Sequence, residues 1–142
     1  MALLRASITE LCVDDHRNDA ATLERWLRNK TVEFFLSWLA DLDNHMVVAC
    51  MGEMLCGVGS LRRGGLLARL YVQPGYQRRG VGRSLLVVLE GQAKGWQERE
   101  ISFTSSVGAR TFYERHGYAS AGEPLKEYGV LQGYPYRKAL SP

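Results

Sequence analysis

The chain has 142 residues, enough for one domain with a core of its own and few for two. Hydrophobic residues make up 46% and charged residues 23%, which excludes a disordered or collagen-like chain. Eighteen Lys and Arg against fifteen Asp and Glu leave a formal charge of +3 and a pI near 8.9. That surplus is too weak to argue for nucleic acid but suits a small phosphate-bearing molecule. Cys12, Cys50 and Cys56 form no C-x-x-C and, with His16, His45 and His116, offer no zinc spacing. Reduced thiols and no metal are expected. The longest apolar run, Met46 to Met51, is far short of a membrane span, and Glu10, Asp14 and Asp15 stand where an export signal needs apolar residues. A soluble, cytoplasmic protein with no membrane partner is expected.

Residues 5–9 alternate weakly and are predicted as a first strand. Asn18 or Asp19 can cap a helix with Ala20, Leu23, Trp26 and Leu27 on one face, and Thr31 a second with Val32, Phe35, Leu36 and Leu39 on one face. This N-terminal helix pair is placed over residues 18–41. His45–Met51 and Met54–Leu61 read as two strands around the turn Gly52-Glu53, and Gly64-Gly65 turns into a third, Leu66–Val72. A helix follows over Val81–Lys94, with Val81, Leu85, Val88 and Leu89 on one face and Gly95 as its stop signal. A strand (Arg99–Thr104), a helix (Ser106–His116) and short strands near Tyr118 and over Tyr134–Ala139 complete the chain. The fold class is α/β (α+β): one domain over 1–142, with a core over 45–118 and C-terminal strands over 118–140.

The most informative segment runs from Tyr71 to Ser84. A strand ends, a loop rich in Gly and Arg follows, and a helix begins at once, aiming free backbone N–H groups and the positive end of a helix dipole at one spot. Gly80 and Gly82 let the backbone approach an anion, while Arg78, Arg79 and Arg83 add charge. Leu85 stands where a Rossmann fingerprint needs its third small residue, and Val81-Gly82 replaces the Lys-Ser/Thr of a nucleotide P-loop. The remaining pattern, Gln77-x-x-Gly80-x-Gly82, resembles the pyrophosphate-binding loop of the GNAT superfamily of acyl-CoA-dependent acyltransferases. A second segment, Ala109-Arg110-Thr111-Phe112-Tyr113-Glu114-Arg115-His116-Gly117-Tyr118, is similar to the same superfamily's A-x-x-F-Y-E-x-x-G-[FY] helix-to-strand motif.

The resemblance implies a mixed, mostly antiparallel sheet flanked by helices, with two strands splayed into a V-shaped cleft for the coenzyme. Backbone groups of Leu70, Tyr71 and Val72 would bond the pantetheine arm like an added strand, and one N–H there would polarise the thioester carbonyl. Amides of Gln77, Arg78, Arg79, Gly80, Val81, Gly82, Arg83 and Ser84 would hold the pyrophosphate. Phe112 packs its helix on the sheet beside the coenzyme. Ser106 stands where many relatives have an Asn that contacts the cofactor arm; it would make that contact with a shorter reach, and its place at the strand-to-helix bend suits an N-cap. Tyr113 would be the general acid. A thiol titrates near about 8.5 and tyrosine near about 10, so it acts as a positioned donor to the leaving sulfur.

No base is assigned. Some relatives carry Glu before the glycine loop, where this chain has Arg69; Glu33, Glu123 and Glu127 lie on flanking segments, and a water relayed by Ser105 or an amine arriving deprotonated would also serve. Phe34, Trp38, Tyr128, Tyr134 and Tyr136 are candidates for the acceptor mouth or a homodimer contact. The leading function is acetyl transfer from acetyl-CoA to a primary amine of a small molecule or peptide. The alternatives are a non-catalytic acyl-CoA-binding or sensing module and an anion- or nucleic-acid-binding domain built on Arg62, Arg63, Arg78, Arg79 and Arg83.

Overall fold

Leu4, Ile8 and Leu11 recur at helical spacing, and this period wins over the weak alternation of residues 5–9. In the computed structural model, which describes residues 1–127 and 130–141, the chain opens with helix α1, Ala2–Leu11, rather than a strand. Leu3, Leu4, Ser7 and Ile8 are its buried side. A single turn, α2 (Val13–His16), follows. Its buried His16 donates from Nε2 to the Ile8 carbonyl (2.9 Å) and accepts from the Asn18 amide at Nδ1 (3.0 Å), which locks the α1–α2 corner.

Helix α3, Ala20–Leu27, is capped by Asp19, whose carboxylate accepts from the amide and hydroxyl of Thr22 at 2.9 and 2.7 Å. Those bonds hold the Asp19 carboxyl below the usual carboxylate range. The guanidinium of Arg5 donates to the carbonyls of Leu27 and Lys30, closing the end of α3 against α1. Helix α4, Val32–Ala40, starts on Thr31 as expected, but of its expected face only Phe35 faces inward. Phe35 and Trp38 turn inward while Val32, Leu36 and Leu39 are more than half exposed. The guanidinium of Arg69 covers the Trp38 ring and draws that side of the helix onto the sheet.

Strands β1 (Asn44–Met51), β2 (Met54–Arg62) and β3 (Leu66–Val72) form the expected antiparallel meander, with irregular register at Ala49/Cys50 and Ser60/Leu61. Helix α5, Val81–Gly95, crosses it. Gly57 and Gly59 of β2 admit the helix: a Cβ on Gly57 would stand 2.6 Å from Val81 and one on Gly59 2.9 Å from Leu89. The buried stripe of α5 is Val81, Leu85, Leu86, Leu89 and Ala93; Leu86 replaces the expected Val88, which is 53% exposed. Leu85, Leu89 and Ala93 repeat at a spacing of four, which leaves Val88 outside the stripe.

Strand β4 (Glu100–Ser105), helix α6 (Arg110–Arg115) and strands β5 (Ala119–Ser120), β6 (Leu125–Glu127) and β7 (Val130–Ala139) complete the fold. The sheet order is β1-β2-β3-β4-β7-β5, with β6 paired to β7, and every pairing is antiparallel except β3 with β4. The fold is a single α/β domain with a mixed, mostly antiparallel open sheet: α5 covers one face and α1 the other, where Leu3 and Leu4 pack on Val58 and Tyr71. Phe103, Tyr113, Tyr118 and Tyr136 form an aromatic centre beneath β4 and β7. No helix among the described residues is long and apolar enough to cross a membrane.

Candidate active site

β3 and β4 touch through one register pair, Leu66 with Ser102, reinforced by the Ser102 amide donating to the Gly65 carbonyl (2.9 Å). Beyond that point the strands diverge, because β3 follows β2 while β4 stays paired with β7 from Glu100 to Ser105. Along Leu67–Val72, alternate N–H and C=O groups of β3 therefore face an opening instead of a neighbour. The opening leads into a cleft of about 1150 Å³. It is larger than the roughly 300–1,000 Å³ that hold drug-sized ligands, so it suits a long one.

One end of the cleft is the start of α5. Gly80 is the N-cap at φ 81°, a left-handed backbone that glycine adopts without strain, and a Cβ there would face open space. Arg78 is also left-handed, at φ 61°. The first capping bond runs from the Ser84 amide to the Gly80 carbonyl (3.0 Å), so the amides of Val81, Gly82 and Arg83 have no intrahelical acceptor. A Cβ on Gly82 would stand 3.2 Å from the Phe112 ring, so α6 closes tightly over the first turn of α5. These three amides and the dipole behind them are suited to an anion, and Arg78 and Arg83 line the same cleft.

Of the residues singled out in the sequence, Leu70, Tyr71, Val72, Gln77, Arg78, Gly80, Val81, Gly82, Arg83, Ser106, Phe112 and Tyr113 line this cleft. Arg79 and Ser84 do not; they line a separate groove beside β1, with Arg79 over the Tyr76 ring. Gln77 lines the cleft while its side-chain oxygen accepts from the Gly75 amide (2.7 Å), so it also braces the loop. Ser106 is not the expected N-cap. Helix α6 begins at Arg110 with Ala109 as its cap, and the Ser106 carbonyl accepts from the Ser105 hydroxyl (2.8 Å). The polar anchor of this bend comes from far away in sequence: Asp15 Oδ1 accepts from the Val107 amide at 2.6 Å.

Tyr113 is 7% exposed, with its ring 4.2 Å from Phe103 between centroids, and its hydroxyl has no hydrogen-bond partner among the described residues. Burial, and then the neighbouring Tyr71 hydroxyl, hold its pKa well above the ordinary tyrosine value. Burial, with Cys12 beside it, pushes Tyr71 up to about 12 against the pull of Arg69. Cys12 itself is pushed up to about 11 by burial and by Asp15, so it is a thiol and not a thiolate near neutrality. Two protonated phenols and a thiol thus meet in one corner of the cleft.

The model of the acetyltransferase (GNAT) domain family matches residues 12–140. The chain belongs to this family. Among solved structures, a GCN5-related N-acetyltransferase from Rhodopseudomonas palustris is 25% identical, with a TM-score of 0.84 over 98% of this chain and 86% of its own. The PaiA N-acetyltransferase of Thermoplasma acidophilum, solved with coenzyme A, is 20% identical, with a TM-score of 0.80 over 97% and 89%. A GNAT acetyltransferase from Elizabethkingia anophelis with acetyl-CoA bound is 17% identical, with a TM-score of 0.62 over 79% and 85%. No curated protein sequence matches the chain.

Other candidates of this GNAT chain take structural places. Tyr136 is buried, donating to Glu114 (2.6 Å) and accepting from Arg110 Nε (3.1 Å), and Tyr134 lies under the Arg110 guanidinium. Tyr128 lies outside the described residues. Phe34 is exposed on α4, Trp38 is half-buried under Arg69, and neither lines the cleft. Glu33 and Glu123 are exposed and away from it. Arg62 and Arg63 reach Asp41 and Asp43, which breaks up the imagined anion-binding surface. Sequence reasoning missed Cys12, Arg25, Asn29 and Lys30, which wall the cleft from the N-terminal helices. Trp26, expected to pack on the α3 face, is half-buried and also lines that wall.

Proposed function

We propose that this chain is an N-acyltransferase that moves the acetyl group of acetyl-CoA to a primary amine, by direct attack while both are bound. The observation that carries this reading is the combination of one cleft with three features: a β3 edge freed by the single-pair contact with β4, the free amides at the start of α5, and the Tyr113 hydroxyl. The acyl donor is a substrate here, and the cleft fits its parts. Its diphosphate suits the amides of Val81, Gly82 and Arg83, its amide-bearing arm suits the edge of Leu70–Val72, and its sulfur end then lies toward Tyr71 and Tyr113. The coenzyme-bound structures of PaiA and of the Elizabethkingia protein support the donor assignment.

A backbone N–H of β3 polarises the thioester carbonyl as the amine adds to it. Tyr113 then stabilises the leaving sulfur. Its raised pKa makes full proton donation to a thiolate more uphill than for an ordinary tyrosine, so its contribution is a hydrogen bond from a phenol that stays protonated. The acetylated amine and the free thiol are the products. Calorimetry with coenzyme A, followed by thiol release from acetyl-CoA over a panel of amines, tests the reading. Heat of binding with amine-dependent thiol release is expected. Binding without release on any amine would leave a coenzyme-binding module, and absence of binding would remove the assignment.

A further inference from the structure

Past the Tyr71–Tyr113 corner the cleft continues between β3 and the N-terminal helices, where Arg25, Trp26, Lys30 and Arg69 line it. Arg69 projects from β3 and is half-buried, with its guanidinium carbon 3.4 Å from the centroid of Trp38 and Nη1 donating to Ser60 Oγ at 3.2 Å. Lys30 is half-buried in the connection after α3, with Nζ 5.9 Å from the same indole centroid and donating to Asn29 Oδ1 at 2.6 Å. Two cations thus share one aromatic ring at the wall of a cavity. Burial, and then Arg69, lower the pKa of Lys30.

Among the described residues no Asp or Glu lines the cleft. The ion pairs formed by described residues use Arg28, Arg62, Arg63 and Lys138 instead. Like charges held together and partly removed from water disfavour each other, and an anion joining them relieves this. Building on the transferase reading, we propose that the acceptor is a small primary amine that also bears a carboxylate, as an amino acid does, with the carboxylate held by Lys30 and Arg69.

The same arrangement excludes polycationic acceptors, since a polyamine or aminoglycoside would bring more positive charge to this end. It also bears on the missing base. Neighbouring cations favour the neutral form of an incoming ammonium, so part of the deprotonation is done by the field of the site. The reaction then balances simply: the nitrogen–carbonyl bond forms, the carbon–sulfur bond breaks, the amine loses one proton and the departing sulfur gains one.

The test uses the whole protein and acetyl-CoA, with products identified by mass spectrometry. Each of a set of free α-amino acids is compared with its own carboxamide and its decarboxylated amine, with putrescine as a polycationic probe. At least one amino acid is expected to exceed its carboxamide in kcat/KM by about tenfold or more, the worth of a hydrogen-bonded ionic contact. Lys30→Met and Arg69→Met are expected to bring that ratio toward one, chiefly through KM, with calorimetric affinity for coenzyme A unchanged. Lys30→Met decides if Arg69→Met fails to fold, because Lys30 lies outside the sheet. Equal or better turnover of carboxamides or putrescine would overturn the proposal while leaving the transferase reading intact. So would no turnover of any amino acid, or a ratio unmoved by Lys30→Met. Loss of coenzyme binding in the unaltered protein would remove both.

Discussion

Tyr113→Phe removes one oxygen atom and little else. The ring keeps its neighbours, with Phe103 at 4.2 Å and Tyr118 at 5.8 Å between centroids. No described residue hydrogen-bonds the hydroxyl, so no bond among the described residues is lost. The stability change should stay within about 0.5 kcal/mol, or about 2 °C in Tm for a chain of this size. Catalysis should change much more. A hydrogen bond to a charged partner is worth about 1.5–3 kcal/mol, and each 1.36 kcal/mol is a tenfold change in rate, so kcat should fall by about 10- to 150-fold. Initial rates of thiol release at saturating acetyl-CoA measure it, with calorimetry expected to show unchanged coenzyme affinity. Because burial and Tyr71 hold the phenol above its ordinary range, it keeps its proton from about pH 6 to 9, and the rate ratio should be constant across that span. A kcat within about twofold of the parent would reduce Tyr113 to a packing residue. A ratio that changes with pH in that span would refute the hydrogen-bond role.

Two further outcomes follow from the packing and the titrations. Gly57→Ala puts a Cβ 2.6 Å from Val81 and 2.9 Å from Leu85, so overpacking should cost about 1–3 kcal/mol and lower coenzyme affinity by lifting the start of α5. Calorimetric melting and coenzyme titration read both effects, and an unchanged Tm would show that β2 and α5 are not in close contact there. Alkaline stability should fall as the pH rises from about 10 toward 12. Tyr71 and Tyr113 have pKa values raised in the fold, so the unfolded chain loses their protons first and the native state becomes relatively less stable. Each contributes a slope of up to about 1.4 kcal/mol per pH unit, and denaturant unfolding of Tyr71→Phe should show a shallower decline than the parent.

Much of the fold could be read from local chemistry. The turns at Gly52 and Gly64-Gly65, the caps Asp19 and Thr31, and the glycine start of α5 all rest on contacts between near neighbours, and the structure reproduces them. The strand expected over 5–9 was a local period misread, since Leu4, Ile8 and Leu11 recur at helical spacing. Other errors came from contacts between distant residues. Whether Val32, Leu36 and Leu39 or Phe35 and Trp38 face inward depends on Arg69, a strand away. The late start of α6 goes with a carboxylate, Asp15, that bonds Val107 across most of the chain. In the cleft, motif spacing was enough to bring Gly80, Gly82, Phe112 and Tyr113 together. It was silent on which way each loop side chain turns, and Arg79 and Ser84 turn to the other side of the first turn of α5. The wall holding Lys30 was beyond reach because no motif ties the connection after α3 to β3.

The single contact at Leu66 and Ser102 has a consequence for what the sheet tolerates. An unpaired strand edge normally invites a neighbouring protein to add itself, the first step of aggregation. Here the bare edge sits at the inside of a wedge, closed at its narrow end and walled by bulky side chains such as Tyr71 and Phe112. A foreign polypeptide must fit substituents on both sides of its backbone between those walls. A thin, unbranched amide chain has none to fit, so geometry that would admit such a molecule works against the chain sticking to its own kind.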